Sequence, residues 1–430
     1  MTTLRSSRPA PGAARIAVLA AGHAAVDLYQ GVVPALVPFL VAGRGLDYGS
    51  AAGVVLAATL LSSIVQPLFG ALTDRWAMPW LIPAATAAAG IGVGLAGVAG
   101  PYPLLCAAVA LSGVGVAAYH PESARLARAA SGDSHTRMGW FTLGGNIGFA
   151  LAPLMVGPVL AAGGLGATPW LALPALAAAL LTAPVVRTLA ARAATGPAAD
   201  AADGARRDDR TAFLWLSAVI GCRSVVFVGL SSFVALYARQ RLGGGSGVGT
   251  AALFTLFAGG AVGTVLGGWC AARWGRVRTV RLSYAAAVPA VAGLLLVPGP
   301  AALYGFSALI SLALYVPFSL QVTLGQDYLP SRIGTASGVT LGLAVSVGGL
   351  AGPAIGLLAD HAGLRTALAP LAVLCALAWL LARRLPEPGA DGAAPTPVAA
   401  AGPGEADVRC AGAPSDALGE PARRGPSHGR

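Results

Sequence analysis

A handful of polar side chains in this sequence lie inside or at the ends of long apolar segments, and these side chains carry usable chemistry. Imidazole and carboxylate groups can take up and release protons, while a guanidinium can bind an anion through paired hydrogen bonds. A carboxamide adds neutral donors and an acceptor. The residues concerned are His23, Asp27, His120, Glu122, Arg223, Gln326 and Asp327.

The composition indicates that their surroundings are a lipid bilayer. Hydrophobic residues make up 56% of the 430 residues, charged residues only 10%, and the mean hydropathy is +0.72. Soluble domains carry about 25% charged residues. The continuous stretches rich in Ala, Leu and Gly are long enough for helices to cross the hydrocarbon, and they lack the alternation of a membrane β-barrel. We therefore predict an all-α integral membrane protein.

The apolar stretches predict twelve transmembrane helices in two groups of six. The predicted spans are 16–42, 50–73, 80–99, 102–120, 138–163, 169–187, 212–238, 248–271, 280–297, 301–328, 334–359 and 364–383. The chain then divides into a cytoplasmic N-terminus (1–15), an N-terminal six-helix bundle (16–187), a cytoplasmic linker (188–211), a C-terminal six-helix bundle (212–384) and a disordered cytoplasmic tail (385–430).

The two groups of six resemble each other as repeats. The string Gly148-xxx-Ala-Pro in the fifth span corresponds to Gly348-xxx-Gly-Pro in the eleventh. The loop motif Gly70-Ala-Leu-Thr-Asp-Arg after the second span has a weaker copy that begins at Gly268 after the eighth. Six-helix parallel repeats are typical of one class of secondary transporter.

The distribution of charge predicts the topology. All 28 basic residues are arginine, so the chain has neither a Walker A lysine nor a Schiff-base lysine, and we expect no nucleotide partner. With a cytoplasmic N-terminus, only four arginines of the loops lie outside, namely Arg44, Arg239, Arg241 and Arg365, as the positive-inside rule requires. Topology therefore explains the net charge of +11, and we expect no nucleic-acid partner. The five cysteines are isolated, and we expect no metal site.

Three ionisable side chains are predicted near the middle of the membrane. His23 and Asp27 lie about 12 and 18 Å beyond Arg15 along a helix, and their spacing puts them on one face. Arg223 lies about 17 Å into the seventh span. A charge at this depth costs about 3 kcal/mol or more, so each must be paired, protonated or solvated. Either Asp27 binds protons or substrate, or Asp27 and Arg223 form a structural pair.

The remaining polar pairs are predicted at the cytoplasmic mouth. The span before His120 is already about 27 Å long, and Pro121 is expected to interrupt the helix. His120 and Glu122 are then site residues, or Pro121 opens a new helix with Glu122 in its first turn. Gln326 and Asp327 hold a similar position in the second half, with the same two interpretations.

The loop motif after the second span predicts a gate. Gly70 would allow close helix contact, and Asp74 at a helix end could bind a neighbouring backbone or arginine and hold the cytoplasmic side shut. Arg75 and, from the second copy, Arg273 and Arg276 would complete this gating motif. A topogenic turn is the simpler interpretation and accounts for part of the role of Arg75.

In its motifs the chain resembles the major facilitator superfamily and, within it, the fosmidomycin-resistance efflux proteins. The most specific string is His120-Pro-Glu-Ser-Ala-Arg-Leu-Ala-Arg, supported by His23-xxx-Asp27 and by Gln326-Asp-Tyr-Leu-Pro-Ser-Arg. The resemblance implies the major facilitator fold. It also implies a proton-driven antiporter that exports fosmidomycin or similar compounds across the bacterial cytoplasmic membrane.

We expect the proton gradient to supply the energy, with no cofactor, and we expect a monomer with both termini cytoplasmic. Fosmidomycin is a phosphonate, and a buried arginine suits an anion of this kind. The proton-coupling candidates are Asp27, Glu122 and His23, and the substrate-binding candidates are Arg223, His120, Gln326 and Asp327.

Two other functions compete with export. An uptake symporter for a small organic anion or sugar would use the same cavity in the opposite direction. A membrane sensor without transport activity is a further alternative, although the sequence contains no sizeable soluble domain. The spans contain no HExxH, GxSxG or paired metal ligands, so we do not expect an enzyme.

Overall fold

The computed structural model describes residues 11–131, 135–193 and 208–388, and the regular structure within these ranges is entirely helical. The α-helices are α1 (Pro11–Arg44), α2 (Tyr48–Arg75), α3 (Leu81–Ala96), α4 (Tyr102–Ser131), α5 (His135–Gly163), α6 (Leu173–Ala193), α7 (Arg210–Leu242), α8 (Ser246–Trp274), α9 (Arg276–Leu296), α10 (Pro300–Tyr315), α11 (Phe318–Tyr328), α12 (Ile333–Ala362), α13 (Leu364–Leu368) and α14 (Pro370–Ala382). Two 3-10 helices, Gly164–Ala172 and Pro330–Arg332, precede α6 and α12. The all-α prediction is confirmed. Most of the predicted linker and tail lies outside the described residues.

Ten segments of the described chain are long and apolar enough to cross a membrane. One of them, Arg137–Ala191, contains both α5 and α6, and the shorter apolar helix α3 is a further candidate. Each of the twelve predicted spans therefore has a helical counterpart. The outer surface carries exposed side chains such as Leu180, Leu181 and Trp170, which suit contact with lipid.

Two prolines affect their helices in opposite ways. Contrary to prediction, α4 does not end at Pro121 but continues to Ser131. A proline removes one helical N–H, and here the residues that follow, Leu126 and Ala127, are fully buried and held by packing. Pro317, in contrast, lies at the break that divides the tenth predicted span into α10 and α11. Because α4 is continuous, the interpretation that Glu122 belongs to the first turn of a new helix is wrong.

Both halves of the chain end their third helix in the same way. Arg44, at the end of α1, donates to the carbonyl oxygens of Gly97 (2.8 Å) and Ala99, beyond the end of α3. Arg241, in the last turn of α7, donates to the carbonyl of Leu295 (2.7 Å) at the end of α9. A guanidinium in this position satisfies carbonyls that lack helical partners and lies at the negative end of the helix dipole. The repeat therefore extends from sequence motifs to individual contacts.

The two halves meet along α2 and α12 and along α5 and α8. Small residues allow the first contact: a Cβ added to Gly356 would lie 2.5 Å from the carbonyl oxygen of Tyr48. Aromatic residues form the second, with the ring centroids of Phe149 and Phe257 5.4 Å apart. In α2 and α12 the backbones therefore approach closely, as expected where small residues pack in a membrane.

A carboxylate joins the halves at the end of the bundle where α1 ends and α2 begins. Asp360, in the last turn of α12, accepts hydrogen bonds from the backbone N–H groups of Tyr48 (2.8 Å) and Gly49 (2.9 Å), which begin α2. Asp47 caps the same helix by accepting from Ser50 N, and this bond lowers the pKa of its exposed carboxyl. Two carboxylates, one from each half, thus share the positive end of α2.

Replacing Asp360 with Asn should allow this end of the bundle to open more often. The amide keeps the shape of the side chain but weakens two charge-assisted bonds to α2. Because Asp360 is exposed, we expect a modest effect. A thiol reagent should react about threefold faster with a cysteine placed at Leu46 in a cysteine-free background.

The matched control is Asp47→Asn, which weakens the cap of α2 within its own half and leaves the contact between the halves intact. Equal labelling rates in the Asp360→Asn and Asp47→Asn proteins would contradict the role given to Asp360.

Candidate functional site

His23, Asp27 and His120 form a buried cluster between α1 and α4. Asp27 Oδ2 lies 3.2 Å from His23 Nε2, and Asp27 Oδ1 lies 3.1 Å from His120 Nε2. The side chains of His23 and Asp27 are 10% and 9% exposed, whereas that of His120 is 25% exposed. Three of the residues selected from the sequence are thus brought together, and His120 is the most accessible of them.

The second nitrogen of each imidazole fixes the orientation of its ring. His23 Nδ1 lies 2.9 Å from the carbonyl oxygen of Phe141 in α5, and His120 Nδ1 lies 2.7 Å from that of Val116 in α4. A carbonyl oxygen can only accept, so Nδ1 is the donor in both rings. Each Nε2 atom then lies near one oxygen of Asp27, although Asp27 Oδ1 has no hydrogen-bond partner among the described residues.

Helix α5 closes the cluster from one side. The ring of Phe141 stacks on His23, with centroids 4.4 Å apart. At Gly145, an added Cβ would lie 2.8 Å from His23 Nε2 and would also strike the carboxylate of Asp27. Only glycine therefore fits at this position while the cluster keeps its geometry.

Arg223 is not paired with Asp27, so the structural pair considered from the sequence is not formed. Arg223 Nε donates to the carbonyl oxygen of Leu314 (2.8 Å), and the guanidinium lies 4.9 and 4.7 Å from the ring centroids of Tyr315 and Phe318. Arg223 is 2% exposed, and no carboxylate of the described residues forms an ion pair with it. Cation–π contacts offset part of the free-energy cost of burying Arg223, but its charge has no counterion among the described residues.

A cavity lies between the halves, and its lining begins about one helical turn beyond the His23–Asp27–His120 cluster and beyond Arg223. Gln30 follows Asp27 in α1, and Phe227 follows Arg223 in α7, with the guanidinium 5.8 Å from the Phe227 ring centroid. The lining is mostly apolar. The uncharged polar residues along it are Gln30, Thr59, Ser62, Ser112 and Ser231, whereas the hydroxyl of Tyr29 bonds to the backbone of Leu171 and Ala175.

The sequence predicts a cavity surrounded by the first, fourth, seventh and tenth spans. The structure bears this out for α1, α4 and α7, and it adds α2, α5, α8 and α12 to the lining. No residue of α10 or α11 lines the cavity in the described part of the chain.

Glu122 is fully buried, but it is bound to an arginine of its own helix. Its Oε2 accepts from Arg125 Nε (2.9 Å) and its Oε1 accepts from Arg125 Nη2 (2.5 Å). Such a bidentate pair stabilises the ionised carboxylate. Of the two predicted proton-binding carboxylates, the structure therefore places only Asp27 in the cluster.

Asp327 is joined to Arg276 rather than to the cavity. Asp327 Oδ2 lies 2.6 Å from Arg276 Nη1, which links the end of α11 to the start of α9. Glu387 supports the same corner by accepting from the backbone N–H of Val277 (3.0 Å). Gln326, in the last turn of α11, also lies away from the residues that line the cavity.

The predicted gate differs in part from the structure. A Cβ added to Gly70 would meet nothing within 4 Å, so the expected close helix contact at Gly70 is wrong. Arg75 and Arg273 are exposed in the last turns of α2 and α8. The side chain of Asp74 lies outside the described part of the structure.

Two features were missed by reasoning from the sequence. The first is the set of aromatic rings around Arg223: Phe227 is four residues away on the same helix and could have been found, whereas Phe318 comes from another helix. The second is the role of Asp360. The spacing Gly356-xxx-Asp360 equals that of Gly70-xxx-Asp74, which is a signal for a carboxylate at a helix end.

The cluster also has a spacing that could accept a metal ion. His23, Asp27 and His120 each offer one ligand atom, and these atoms lie within 4.8 Å of one another. Protons on the imidazoles would satisfy the same carboxylate, so the spacing alone does not require a metal.

Replacing Gly145 with Ala should disrupt the cluster, because the methyl group would occupy space held by His23 and Asp27. Overpacking typically costs about 1–3 kcal/mol. We expect a lower melting temperature and loss of transport, measured on purified protein and in cells. The control is Gly139→Ala on the same helix, where an added Cβ meets nothing within 4 Å. Equal transport by both variants would contradict the packing described here.

Known proteins resemble this chain over most of its length. The family profile described as Major Facilitator Superfamily matches residues 19–353. The fosmidomycin resistance protein of Escherichia coli (strain K12) is 30% identical over 354 residues, covering 80% of this chain and 86% of that protein. The uncharacterized MFS-type transporter YfnC of Bacillus subtilis (strain 168) is 31% identical over 373 residues, covering 84% and 90%.

Solved structures share the fold at low sequence identity. A bacterial homologue of the human lysosomal transporter Spinster, in an inward-facing and occupied conformation, superposes with a TM-score of 0.68 at 16% identity, covering 86% of this chain and 95% of that chain. The nucleoside transporter NupG gives 0.65 at 12% identity, covering 87% and 99%. These proteins are transporters and not enzymes. The resemblance to the fosmidomycin-resistance proteins is confirmed at the level of sequence similarity, and the chain belongs to the major facilitator superfamily.

Proposed function

We propose that this protein is a proton-coupled antiporter that exports fosmidomycin or a similar small organic anion by alternating access. The observation that carries the proposal is the pair of buried polar groups beside one cavity. The His23–Asp27–His120 cluster lies in the first half and Arg223 lies in the second. The imidazole and carboxylate groups of the cluster can bind protons, and the guanidinium of Arg223 can bind an anion.

The anionic character of the substrate is supported by the state of Arg223. A guanidinium that is 2% exposed, with no carboxylate paired to it in the described chain, is expensive in a membrane. An anion that entered the cavity and displaced the aromatic rings in front of Arg223 would supply the counterion. A phosphonate offers several oxygens to a planar guanidinium.

The direction of transport and its sidedness are supported by two further observations. The fosmidomycin resistance protein of Escherichia coli carries resistance in its name, and removal of a drug is one way to give resistance. The distribution of arginines between loops supports cytoplasmic positions for both termini of a protein in the bacterial inner membrane. The end of the bundle that Asp360 holds together would then face outward.

Antiport also requires that proton binding and anion binding oppose each other. Coulomb attraction alone would do the reverse, because protons add positive charge near the anion, and such a protein would be a symporter. Export by this route therefore depends on a conformational difference between the protonated and unprotonated states. The alternative function, uptake of a small organic anion or sugar by symport, follows if that difference is absent. The protein is expected to act as a monomer with no cofactor.

The first test is accumulation of fosmidomycin in a sensitive strain that expresses the protein at matched membrane levels. We expect lower accumulation with the wild type, and restoration of accumulation by a protonophore and by Asp27→Asn. The control is Asp47→Asn, which removes a carboxylate from an exposed loop. Unchanged accumulation with a well-inserted wild-type protein would reject fosmidomycin export.

A second test addresses the anion. Arg223→Gln should weaken fosmidomycin binding to the purified protein by about tenfold or more, since hydrogen bonds to charged groups contribute about 1.5–3 kcal/mol. Energised inverted vesicles should then separate the directions, because export from cells appears as uphill uptake into these vesicles. Binding unchanged in Arg223→Gln would remove the anion site from the proposal.

A further inference from the structure

The two imidazoles of the cluster are held as they are in protein metal sites. A metal-binding histidine usually donates its other ring N–H to a backbone carbonyl or a carboxylate, which fixes the ring. Here His23 Nδ1 lies 2.9 Å from the carbonyl oxygen of Phe141, and His120 Nδ1 lies 2.7 Å from that of Val116. In a neutral ring with this hydrogen bond, Nε2 carries a lone pair that can bind a cation.

Asp27 contacts both of these nitrogens, but neither contact is a hydrogen bond. His120 Nε2 lies 3.1 Å from Asp27 Oδ1, yet this buried oxygen has no hydrogen-bond partner among the described residues. The side chain of Asp27 is only 9% exposed, so bulk water does not solvate it fully. A buried carboxylate oxygen without a partner costs free energy, which indicates that a cation belongs beside it.

The same distances suit ligand atoms that share one metal ion. Zinc binds imidazole nitrogen and carboxylate oxygen at about 2.0–2.2 Å, so a nitrogen and an oxygen 3.1–3.2 Å apart subtend about 100° at the ion. This angle lies between those of octahedral and tetrahedral coordination. The lone pairs of two such ligands are directed at the ion and not at each other, which agrees with close contacts that are not hydrogen bonds.

We propose that His23, Asp27 and His120 form a binding site for one divalent transition-metal ion such as Zn²⁺, with both Nε2 atoms and the carboxylate of Asp27 as ligands. The three ligand atoms lie within 4.8 Å of one another. Imidazole suits the transition metals, whereas Mg²⁺ and Ca²⁺ bind to oxygen. The site departs from the expectation of no metal site, because that expectation rested on the isolated cysteines and these ligands are not cysteines.

Two helices supply the ligands. His23 and Asp27 are four residues apart on one face of α1, a spacing that also places two zinc ligands on one helix in known metal-binding motifs. His120 comes from α4, whose continuation through Pro121 is described above. The carbonyl of Phe141 in α5 then holds the His23 ring. A bound ion would therefore tie α1 to α4 inside the first half.

The neighbouring side chains leave one coordination position open. Glu122, two residues after His120, is bound by Arg125 through both oxygens and is not available as a ligand. Three protein ligands leave the fourth position of a tetrahedral ion to water. The side chain of His120 is 25% exposed, so water and ions can reach the site at this ring.

This inference goes beyond the proposed function, because it assigns a second kind of ligand to the cluster. The ion would occupy the atoms to which the proposed function assigns proton binding. Zn²⁺ would therefore inhibit proton-coupled export and would not drive it. This consequence rests on the proposed function, whereas the binding of the ion does not.

Zinc binding is measured on the purified full-length chain, prepared without a histidine tag and freed of metal by a chelator. We expect one Zn²⁺ per chain, bound at least about tenfold more weakly by His120→Gln and by Asp27→Asn, since each variant loses one ligand. The control His361→Gln replaces an exposed histidine at the end of α12 and should bind Zn²⁺ as the wild type does. No binding by the wild type, or equal affinity in His120→Gln, would overturn the proposal.

X-ray absorption of Zn²⁺ bound to the wild type identifies the ligands and needs no variant, so it decides the question if the variants do not fold. We expect nitrogen and oxygen neighbours at about 2.0–2.2 Å and scattering from two imidazole rings. A spectrum without two imidazole rings would overturn the proposal. Displacement of the ion by a modest excess of Mg²⁺ would also contradict it, because Mg²⁺ does not favour imidazole.

The metal measurements use no transported compound. Failure to export fosmidomycin would therefore reject the proposed function and leave the zinc results unchanged. Absence of zinc binding would reject the metal site alone.

Discussion

The free-energy cost of a charge in hydrocarbon governs the arrangement of this protein. Each ionisable side chain within the spans needs a partner, a proton or water, and the chain contains very few such side chains. In the first half the solution is internal, with one carboxylate between two imidazoles and both rings held by backbone carbonyls. In the second half, Arg223 receives aromatic faces and a single carbonyl bond but no counter-charge from the described residues.

The two halves share a structural framework although their charged groups differ. His23 and Arg223 occupy similar places in the first helix of each half, and Arg44 and Arg241 end the third helix of each half in the same manner. The scaffold is thus repeated while the charged groups are not. A symmetric pair of groups would offer the same chemistry twice. Under the proposed function, one face of the cavity would bind protons and the other would bind an anion, an asymmetry that suits coupled transport.

Much of the fold follows from the sequence because its signals are local. Apolar length predicted the helices, and the spacing of His23 and Asp27 placed both on one face of α1. The partner of Asp27 could not be read in this way. His120 comes from another helix, and its position depends on the continuation of α4 through Pro121, which burial of later residues makes possible. Likewise, Gly70 has the residue type of a close contact, yet only the neighbouring helices decide whether one exists.

The contact made by Asp360 has a consequence for how this protein can change over evolution. One side of the contact is a side chain, but the other consists of backbone amides at the start of α2, which almost every amino acid provides. A substitution at Asp360 cannot be compensated by a matching change at Tyr48 or Gly49 in the way that a reversed ion pair can. Correlated substitutions between distant positions therefore carry no record of this contact. Its contribution is visible only in the three-dimensional arrangement, where a single carboxylate connects the last turn of α12 in one half to the first turn of α2 in the other.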